Sequence, residues 1–351
     1  MDFILILAQF LLYGLSLLGV GASDPGLLDN HMVRITVAIA VTLIASRLSP
    51  SFTVRGARLL YLVSLALLVL VLVIGNGPGG VRRWFDLPGG LAFQPSELMK
   101  VAMIIYLAAF FHQRGTDYPI MGPVAAVGVA AGLVLVEPDF ATGLLLLVLA
   151  AFLLVVIGVP WRRLVAIGTS ATLVALAFSG AFLGKFNYIQ ERYQGYLDCR
   201  SGKADPAADC YQVLQGQKAI LRAGFFGQGP GSQMPHLPES HNDMVLASVI
   251  WAGGWMSGLM VLIAYGLILA RGLQIAANSE GAVSVLAVGL TAYLCLQAAL
   301  NIGVVLGILP VTGVPLPMVS FGGSSMLVSG AALGLLHALS RQALRAEATT
   351  S

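Results

Sequence analysis

Long apolar segments recur along the whole chain, and they constrain its fold more than any other feature. A bilayer core is spanned by about 20 apolar residues, with a range of about 17 to 25. Of the 351 residues, 58% are hydrophobic and only 10% are charged. We therefore predict an all-α polytopic membrane protein with ten transmembrane helices. The predicted spans are 3–21, 32–46, 59–75, 94–112, 120–136, 141–159, 164–183, 244–270, 282–306 and 323–340.

Basic residues predict how these spans are oriented, because short cytoplasmic loops carry an excess of Lys and Arg. If the N-terminus is cytoplasmic, the short outer loops hold only Arg82 and Arg83. The inner segments then hold Arg47, Arg55, Arg58, Arg114, Arg162, Arg163, Arg271, Arg341 and Arg345. Both termini are therefore predicted to be cytoplasmic. The net charge of +3 is too small to indicate a nucleic-acid partner.

The polar stretches complete the predicted organisation. Residues 184–243 are predicted to form a large extracellular loop between the seventh and eighth spans, and residues 341–351 a polar tail that we expect to be disordered. The chain is thus predicted to be one transmembrane domain over residues 1–351. Cys199 and Cys210 both lie in the outer loop, where a disulfide can persist, so we predict a bridge. The alternative is two unrelated thiols.

The fourth span begins with charged residues that a membrane should reject. In "FQPSELMK", Glu97 and Lys100 are three positions apart and can pair on one helix face. A charged side chain at the centre of a span costs about 2.5 to 3.5 kcal/mol on insertion scales, so each one requires a reason. The pair is either an interfacial ion pair that eases insertion, or an ammonium aimed into a cavity and held by its carboxylate neighbour.

Other polar or irregular segments lie at the predicted outer face. In "RRWFDL", Arg82 and Arg83 suit phosphate recognition, because the guanidinium fork matches phosphate oxygens. The alternative is a belt of Arg and Trp against lipid headgroups. In "EPDFATG", Asp139 is predicted to cap the sixth span. The uncharged, proline-containing segment 301–325 is predicted to re-enter the membrane and wall a lipid-binding groove.

The stretch "LPESHNDMVLAS" places Glu239, His241 and Asp243 directly before the eighth span. A carboxylate there could be a solvated loop end, part of a metal site or a catalytic base. Zinc protease signatures place two His at i, i+4 on a helix, whereas this region contains Pro235 and Pro238 and no such spacing. We therefore predict no metal site here.

Six stretches together resemble one protein family over nearly the whole chain. They are "RRWFDL", "FQPSELMK", "EPDFATGLLL", "YQVLQGQKAILRAGFFGQG", "LPESHNDMVLA" and "NIGVVLGILPVTGVPLPMVSFGGSS". The chain is similar to the SEDS family (shape, elongation, division, sporulation), whose best-known members are RodA and FtsW. Its short N-terminus and the lack of a long tail resemble the RodA branch.

The resemblance implies a ten-helix fold in the inner (cytoplasmic) membrane that polymerises lipid II into glycan strands at the outer membrane face. It implies a role in cell-wall elongation and rod shape, with membrane lipids around the protein and a class B penicillin-binding protein as partner. The family's essential aspartate matches Asp243, which follows His241 by two positions. The helix-four acid and lysine of the family match Glu97 and Lys100.

The chain departs from the family pattern close to the matched aspartate. Asn242 stands where the family usually has Thr. Two acidic residues that family members often carry about eight positions after the aspartate are replaced by Trp251 and Ala252. Any role of those acids cannot be carried over to this chain.

The implied reaction is a single displacement that inverts the anomeric carbon of a lipid-diphosphate-linked sugar. Asp243 is predicted to be the general base for the attacking 4-hydroxyl, with His241 orienting the substrate. Lys100, which Glu97 holds in place, is predicted to bind the substrate diphosphate. Arg82, Arg83 or a divalent cation (Mg²⁺ or Mn²⁺) are further sources of positive charge for the leaving group.

Two other functions fit part of the sequence. A lipid II flippase would also have many helices and buried charges, but transporter sites tend to lie near the bilayer midplane, whereas Asp243 is predicted to lie at one membrane face. A scaffold that only recruits the cross-linking enzyme would leave Asp243 and Lys100 unexplained. The polymerase is therefore the favoured hypothesis.

Overall fold

Helices make up most of the described residues in the computed structural model. The structure describes residues 1–77, 80–87, 91–177, 194, 197, 209–235, 237 and 239–350. The helices are α1 Phe3–Ser23, α2 Leu28–Arg47, α3 Pro50–Ile74, α4 Pro95–Arg114, α5 Met121–Val136, α6 Phe140–Ile157, α7 Trp161–Ala177, α8 Asp209–Ala223, α9 Val245–Ala277, α10 Gly281–Val305 and α11 Gly323–Thr350. A small antiparallel hairpin precedes α4 and pairs β1 Phe85–Leu87 with β2 Leu91–Phe93.

Apolar helices confirm that the chain is an all-α polytopic membrane protein. Within the described ranges, seven helices are long and apolar enough to cross a membrane. They are α1, α2 with its preceding turn, α3, α6, α9, α10 and the part of α11 up to Leu344. The helices α4, α5 and α7 coincide with the three other predicted spans, but α5 has only 16 residues. The number of ten spans therefore stays a prediction.

Several helices extend beyond the predicted apolar segments. The prediction of a short second span was wrong, because α2 has 20 residues. Helix α3 begins at Pro50, well before residue 59, and the Ser49 hydroxyl caps it by accepting from the Phe52 N–H at 3.2 Å. The polar tail is helical to Thr350 rather than disordered. Its sequence "RQALRAEATT" is rich in strong helix formers, and helices can continue past the apolar core.

Helix α9 is broken at Gly254, which has φ 70° and ψ −172°. The peptide groups that lose their helical partners there bond to the loop 224–229. The N–H groups of Gln228 and Gly229 donate to carbonyls of 251 and 252, and the loop carbonyls of 224 and 225 accept from 255 and 256. A Cβ at Gly254 would lie 2.1 Å from the Phe225 carbonyl oxygen, so only glycine permits this approach.

The break brings part of the predicted outer loop alongside a membrane helix. Near its middle, α8 touches the start of α9, since a Cβ at Gly216 would lie 3.0 Å from the Met244 side chain. The loop after α8 meets α9 at Gly254, nine residues beyond Val245 and about 14 Å further along the helix axis. Helix α8 therefore runs beside the first turns of α9.

Close helix packing positions the elements around the loop that precedes α11. Helix α1 packs against α9, and α2 packs against α11. A Cβ at Gly334 would lie 2.4 Å from the Thr42 carbonyl oxygen, so this glycine lets α11 approach the α2 backbone closely. The N-terminal ends of α2 and α11 consequently lie near each other, and the loop 306–322 reaches both α2 and the segment before α9.

Candidate active site

The segment 237–243 folds into tight turns that present Asp243 directly before α9. Glu239 adopts φ 53°, and its carbonyl accepts from the Asn242 and Met244 N–H groups at 3.0 and 3.1 Å. Its carboxylate accepts from the Asn242 amide at 2.8 Å. The N-cap residue of α9 is Met244, whose side chain makes no capping hydrogen bond. Asp243 therefore precedes the N-cap position and is half-buried.

Three consecutive backbone carbonyls, those of 241, 242 and 243, are each held by a hydrogen bond from elsewhere in the chain. The Phe321 N–H donates to the His241 carbonyl at 2.9 Å. The Ser320 hydroxyl donates to the Asn242 carbonyl at 2.7 Å. The Asn301 amide of α10 donates to the Asp243 carbonyl at 2.8 Å. The main chain that carries Asp243 is thus fixed against α10 and the loop 306–322.

The Asp243 side chain faces the same loop. A Cβ at Gly313, which has φ 73°, would lie 3.6 Å from Asp243 Oδ2. The loop was predicted to line a groove, and it lies beside the predicted catalytic carboxylate. Because the loop contains no charged residue, it places no charged side chain beside that carboxylate. This arrangement leaves a carboxylate just before the N-terminal end of α9 with an uncharged wall on one side.

The Phe321 ring contacts three basic side chains, and the sequence interpretation did not predict that they lie together. The Arg34 guanidinium lies 3.7 Å from the ring centroid and donates to the Phe321 carbonyl at 2.5 Å. The His241 ring meets Phe321 edge-on, with centroids 5.6 Å apart. The His31 ring is tilted against the Phe321 ring, with centroids 5.5 Å apart. The Nε2 atom of His31 is 2.6 Å from the Ser16 hydroxyl. Arg34 is therefore a cation near the predicted site.

Glu97 and Lys100 pair as their spacing predicted, but far from solvent. Lys100 Nζ donates to Glu97 Oε1 at 2.7 Å, and the two side chains are 0% and 2% exposed. The ammonium also donates to Gln297 Oε1 at 2.6 Å and lies 5.3 Å from the Tyr293 ring centroid. Glu97 Oε2 accepts no well-aligned hydrogen bond from the described residues, although the Tyr293 phenol lies beside the carboxylate. These two acceptors use two of the three N–H donors of the ammonium, and binding of a diphosphate by Lys100 stays a prediction.

The two loop arginines bond to backbone carbonyls. Arg82 is exposed, and its Nη1 donates to the carbonyls of 72 and 73 at 3.0 and 2.9 Å, at the end of α3. Arg83 Nε donates to the Glu137 carbonyl at 2.7 Å, and its Nη2 donates to the Pro138 carbonyl. Asp139 caps α6 as predicted, because its carboxylate accepts from the Thr142 N–H at 3.1 Å. Arg83 therefore ties the loop between α3 and α4 to the junction between α5 and α6.

Glu137 is a buried acid to which the sequence interpretation assigned no role. Its side chain is 1% exposed, and within the described part of the chain neither carboxylate oxygen has a hydrogen-bond partner. Burial raises the pKa of this carboxyl to about 8, the Asp139 charge adds to the rise, and the Arg83 guanidinium opposes it. Glu137 is consequently protonated over much of the range near neutral pH.

Two further predictions concern a disulfide and a divalent cation. Cys199 and the side chain of Cys210 lie outside the described residues, so the bridge stays a prediction. Over the described ranges, no group of three or more His, Cys, Asp or Glu side chains is placed to hold a metal ion. A divalent cation near Asp243 would therefore need the substrate diphosphate for most of its ligands.

The whole chain matches a known family. The sequence model of the FtsW, RodA and SpoVE cell cycle proteins matches residues 4–345. Peptidoglycan glycosyltransferase MrdB of Escherichia coli strain K12 is 33% identical over 347 residues, which cover 96% of this chain and 92% of that protein. Stage V sporulation protein E of Bacillus subtilis strain 168 is 33% identical over 81% of this chain and 79% of that protein. The chain belongs to the SEDS family.

Solved structures of similar proteins share the fold. A chain from work on the structural coordination of polymerization and crosslinking by a peptidoglycan synthase complex has a TM-score of 0.80 at 30% identity, over 97% of this chain and 98% of that chain. The crystal structure of Thermus thermophilus RodA has a TM-score of 0.70 at 29% identity, over 97% of both chains. Similarity to MrdB and RodA agrees with the RodA branch of the SEDS family.

Proposed function

We propose that this SEDS protein is a peptidoglycan glycosyltransferase that polymerises lipid II into glycan strands at the outer face of the cytoplasmic membrane. Relatives that carry this enzyme name span nearly the whole chain, which supports the activity. The observation that carries the assignment of the site is the fixed main chain at 241–243, which holds the Asp243 carboxylate beside an uncharged loop. The product would serve cell-wall elongation and cell shape.

The proposed chemistry needs one base and one region of positive charge. The 4-hydroxyl of the acceptor sugar attacks the anomeric carbon of the donor, the new C–O bond forms, and the bond to the lipid diphosphate breaks. Asp243 takes the hydroxyl proton, because a hydroxyl is a poor nucleophile until a base removes its proton. The leaving diphosphate needs no proton but needs charge stabilisation, and Lys100 is the proposed source, with Arg82 and Arg83 as further cations. His241 is proposed to orient the substrate.

Arg34 adds a cation to this proposal. Its guanidinium stacks on Phe321, whose N–H holds the His241 carbonyl, so Arg34 is linked to the segment that carries Asp243. Unlike Lys100, it is only half-buried. A half-buried guanidinium can reach a phosphate more readily than a fully buried ammonium such as that of Lys100.

The experiment that tests the proposed function is polymerisation of lipid II by the purified protein with its class B penicillin-binding protein partner. We expect the wild type to make glycan strands, and Asp243→Asn to make them at least about a hundredfold more slowly. Asp24→Asn is the matched control. Asp24 is an exposed aspartate that accepts from the Gly26 N–H at 2.9 Å, and Asn serves equally well as a cap.

The outcomes separate the competing functions. Wild-type activity in Asp243→Asn would place the base at another residue. A wild-type protein that makes no glycan but moves lipid II across vesicle membranes would favour the flippase. A partner that becomes active while this chain is inert in both assays would favour the scaffold.

The proposed topology has ten spans, both termini in the cytoplasm and residues 184–243 outside, within a single domain over residues 1–351. The partner is proposed to be a class B penicillin-binding protein, since a similar chain comes from a complex that couples polymerization to crosslinking. A periplasm-dependent reporter fused after Arg200 should be active, and a cytoplasmic signal there would overturn the orientation. Cys199 and Cys210 should resist thiol labelling in denatured protein until reductant is added.

A further inference from the structure

Two buried amides lie one turn apart on α10, between the predicted charge site and the predicted base. Gln297 is 0% exposed and Asn301 is 1% exposed. Residues at i and i+4 share a helix face, so both side chains point to the same neighbours. Neither residue was singled out by the sequence, because a lone amide in an apolar helix gives no hint of its partners.

Gln297 bridges the buried ion pair and the loop 306–322. Its Oε1 accepts from Lys100 Nζ at 2.6 Å, and its Nε2 donates to the Pro315 carbonyl at 3.0 Å. An ammonium can only donate, so the amide oxygen must face Lys100 and the NH₂ group must face the loop. Glutamine can make both contacts at once, whereas an ionised glutamate could not donate and methionine could make neither.

Asn301 bridges the same loop and the segment that carries Asp243. Its Nδ2 donates to the Val314 carbonyl at 2.9 Å and to the Asp243 carbonyl at 2.8 Å. The two amides therefore bind adjacent loop residues, Val314 and Pro315. Lys100 lies at one end of this series of hydrogen bonds, and Asp243 lies at the other.

We propose that Gln297 and Asn301 are positioning residues that set the distance between Lys100 and Asp243 by tying both to Val314–Pro315. The inference rests on the proposed function, in which these two groups act on one substrate. A base and a cation that act on the same transition state must be placed within a few tenths of an ångström. Displacing such a group by about 1 Å can cost about a hundredfold in rate, even when the altered residue does not touch the substrate.

The test compares shortened and apolar variants in lipid II polymerisation with the partner present. Gln297→Asn keeps a buried amide but is one methylene too short to reach both Lys100 and Pro315. We expect its kcat to fall by about ten- to a hundredfold while KM changes by less than about threefold. Gln297→Met should behave in the same way if it folds. Equal kcat for Gln297→Asn and wild type would overturn the positioning role.

Gln9→Met is the matched control for the loss of a buried amide. Gln9 is 4% exposed, and its Nε2 donates to Thr42 Oγ1 at 3.0 Å and to the Tyr13 hydroxyl at 3.2 Å, away from the loop 306–322. Its variant should lose thermal stability but keep kcat. If Gln9→Met and Gln297→Asn lose kcat equally, Gln297 has only a general structural role.

A double-mutant cycle decides whether Gln297 acts through Lys100. The variant Lys100→Met with Gln297→Asn should be no slower than Lys100→Met alone, because the cation that Gln297 positions is then absent. If the kcat loss of the double variant instead equals the product of the two single-variant losses, this part of the proposal is overturned. A wild type that makes no glycan contradicts the proposed function itself, whereas the Gln297 outcomes are judged only against an active wild type.

Discussion

Two buried ion pairs of the described residues differ in what they leave unbonded. Lys100 and Glu97 are neighbours on α4, and one carboxylate oxygen of Glu97 has no well-aligned donor. Asp2 and Arg271 are 269 positions apart, at the far end of the bundle, with Arg271 Nε to Asp2 Oδ2 at 2.6 Å. Asp2 also accepts from the Ser340 hydroxyl at 2.7 Å and from the Ile4 N–H at 3.1 Å.

The difference indicates separate roles for the two pairs. Every oxygen of Asp2 has at least one donor, so this carboxylate joins the start of α1 to α9 and α11. A fully bonded charge of this kind gains nothing from a further ligand. Lys100 is held by one ionic and one amide acceptor, which use two of its three N–H donors, so the third can donate to a substrate oxygen. We infer that the Asp2 pair fastens the fold and the Lys100 pair serves the reaction.

The largest expected effect is on activity, from Lys100→Met. Removing a positioned cation that stabilises developing charge should lower kcat of lipid II polymerisation by about a hundredfold or more. The measurement is glycan formation with the partner present, beside thermal unfolding of the same preparation. Arg271→Met is the matched control, because it removes the cation of the other pair. Equal activity losses in the two variants would contradict separate roles.

A smaller effect, on stability, is expected from Arg271→Met itself. Breaking a buried pair leaves its partner uncompensated, at a cost of about 3 to 5 kcal/mol when burial is complete. The Arg271 side chain is 15% exposed, so solvent will reduce that cost. We expect a lower unfolding temperature in detergent with kcat unchanged for the folded fraction. Unchanged thermal stability would show that the Asp2 cluster is not a fastener.

Much of the fold follows from the sequence, since a run of about 20 apolar residues has few alternatives to a membrane helix. The pairing of Glu97 with Lys100 and the capping by Asp139 were also predictable, because both depend on spacing within one helix. Helix ends were predicted less well. Start signals such as Ser49 and Pro50 are polar, so an apolar window misses them.

Contacts between distant parts of the chain could not be read from the sequence. Lys100 and Gln297 are 197 positions apart, and Arg34 and Phe321 are 287 apart. The break at Gly254 was missed for the same reason, since the loop that satisfies its peptide groups lies before α9. The family resemblance identified Asp243 as a candidate from the local sequence. The hydrogen bonds by which Asn301 and Ser320 hold its main chain could be seen only in the structure.

Acid should reduce the stability that the Asp2–Arg271 ion pair gives to the fold, because Asp2 becomes protonated. Burial acts to raise the Asp2 pKa, but hydrogen bonds from Ser340 and Arg271 and the Arg271 charge outweigh it, so the pKa lies below its usual 3.8. A lowered pKa means that the stabilisation is present above pH 3.8 and is lost as pH falls through the folded-state value. Wild-type stability should therefore drop below pH 4 more steeply than that of Asp2→Asn. Parallel pH curves for the two proteins would exclude this contribution.

The smallest expected effect tests a third buried carboxyl, one with no ionic partner of the kind that Asp2 and Glu97 have. Burial raises the Glu137 pKa to about 8 from a usual 4.5. A raised pKa makes folding most favourable below pH 4.5 and progressively less so as pH rises toward 8, because the folded state resists ionisation. Gln cannot ionise, so Glu137→Gln should unfold at a temperature that exceeds the wild-type value by more at pH 9 than at pH 5. Glu280→Gln, at an exposed position, controls for the loss of one negative charge. If the difference between Glu137→Gln and wild type does not grow with pH, the Glu137 carboxyl is stabilised as an anion by the Arg83 guanidinium, and the junction between α5 and α6 is held by charge as the Asp2 cluster is.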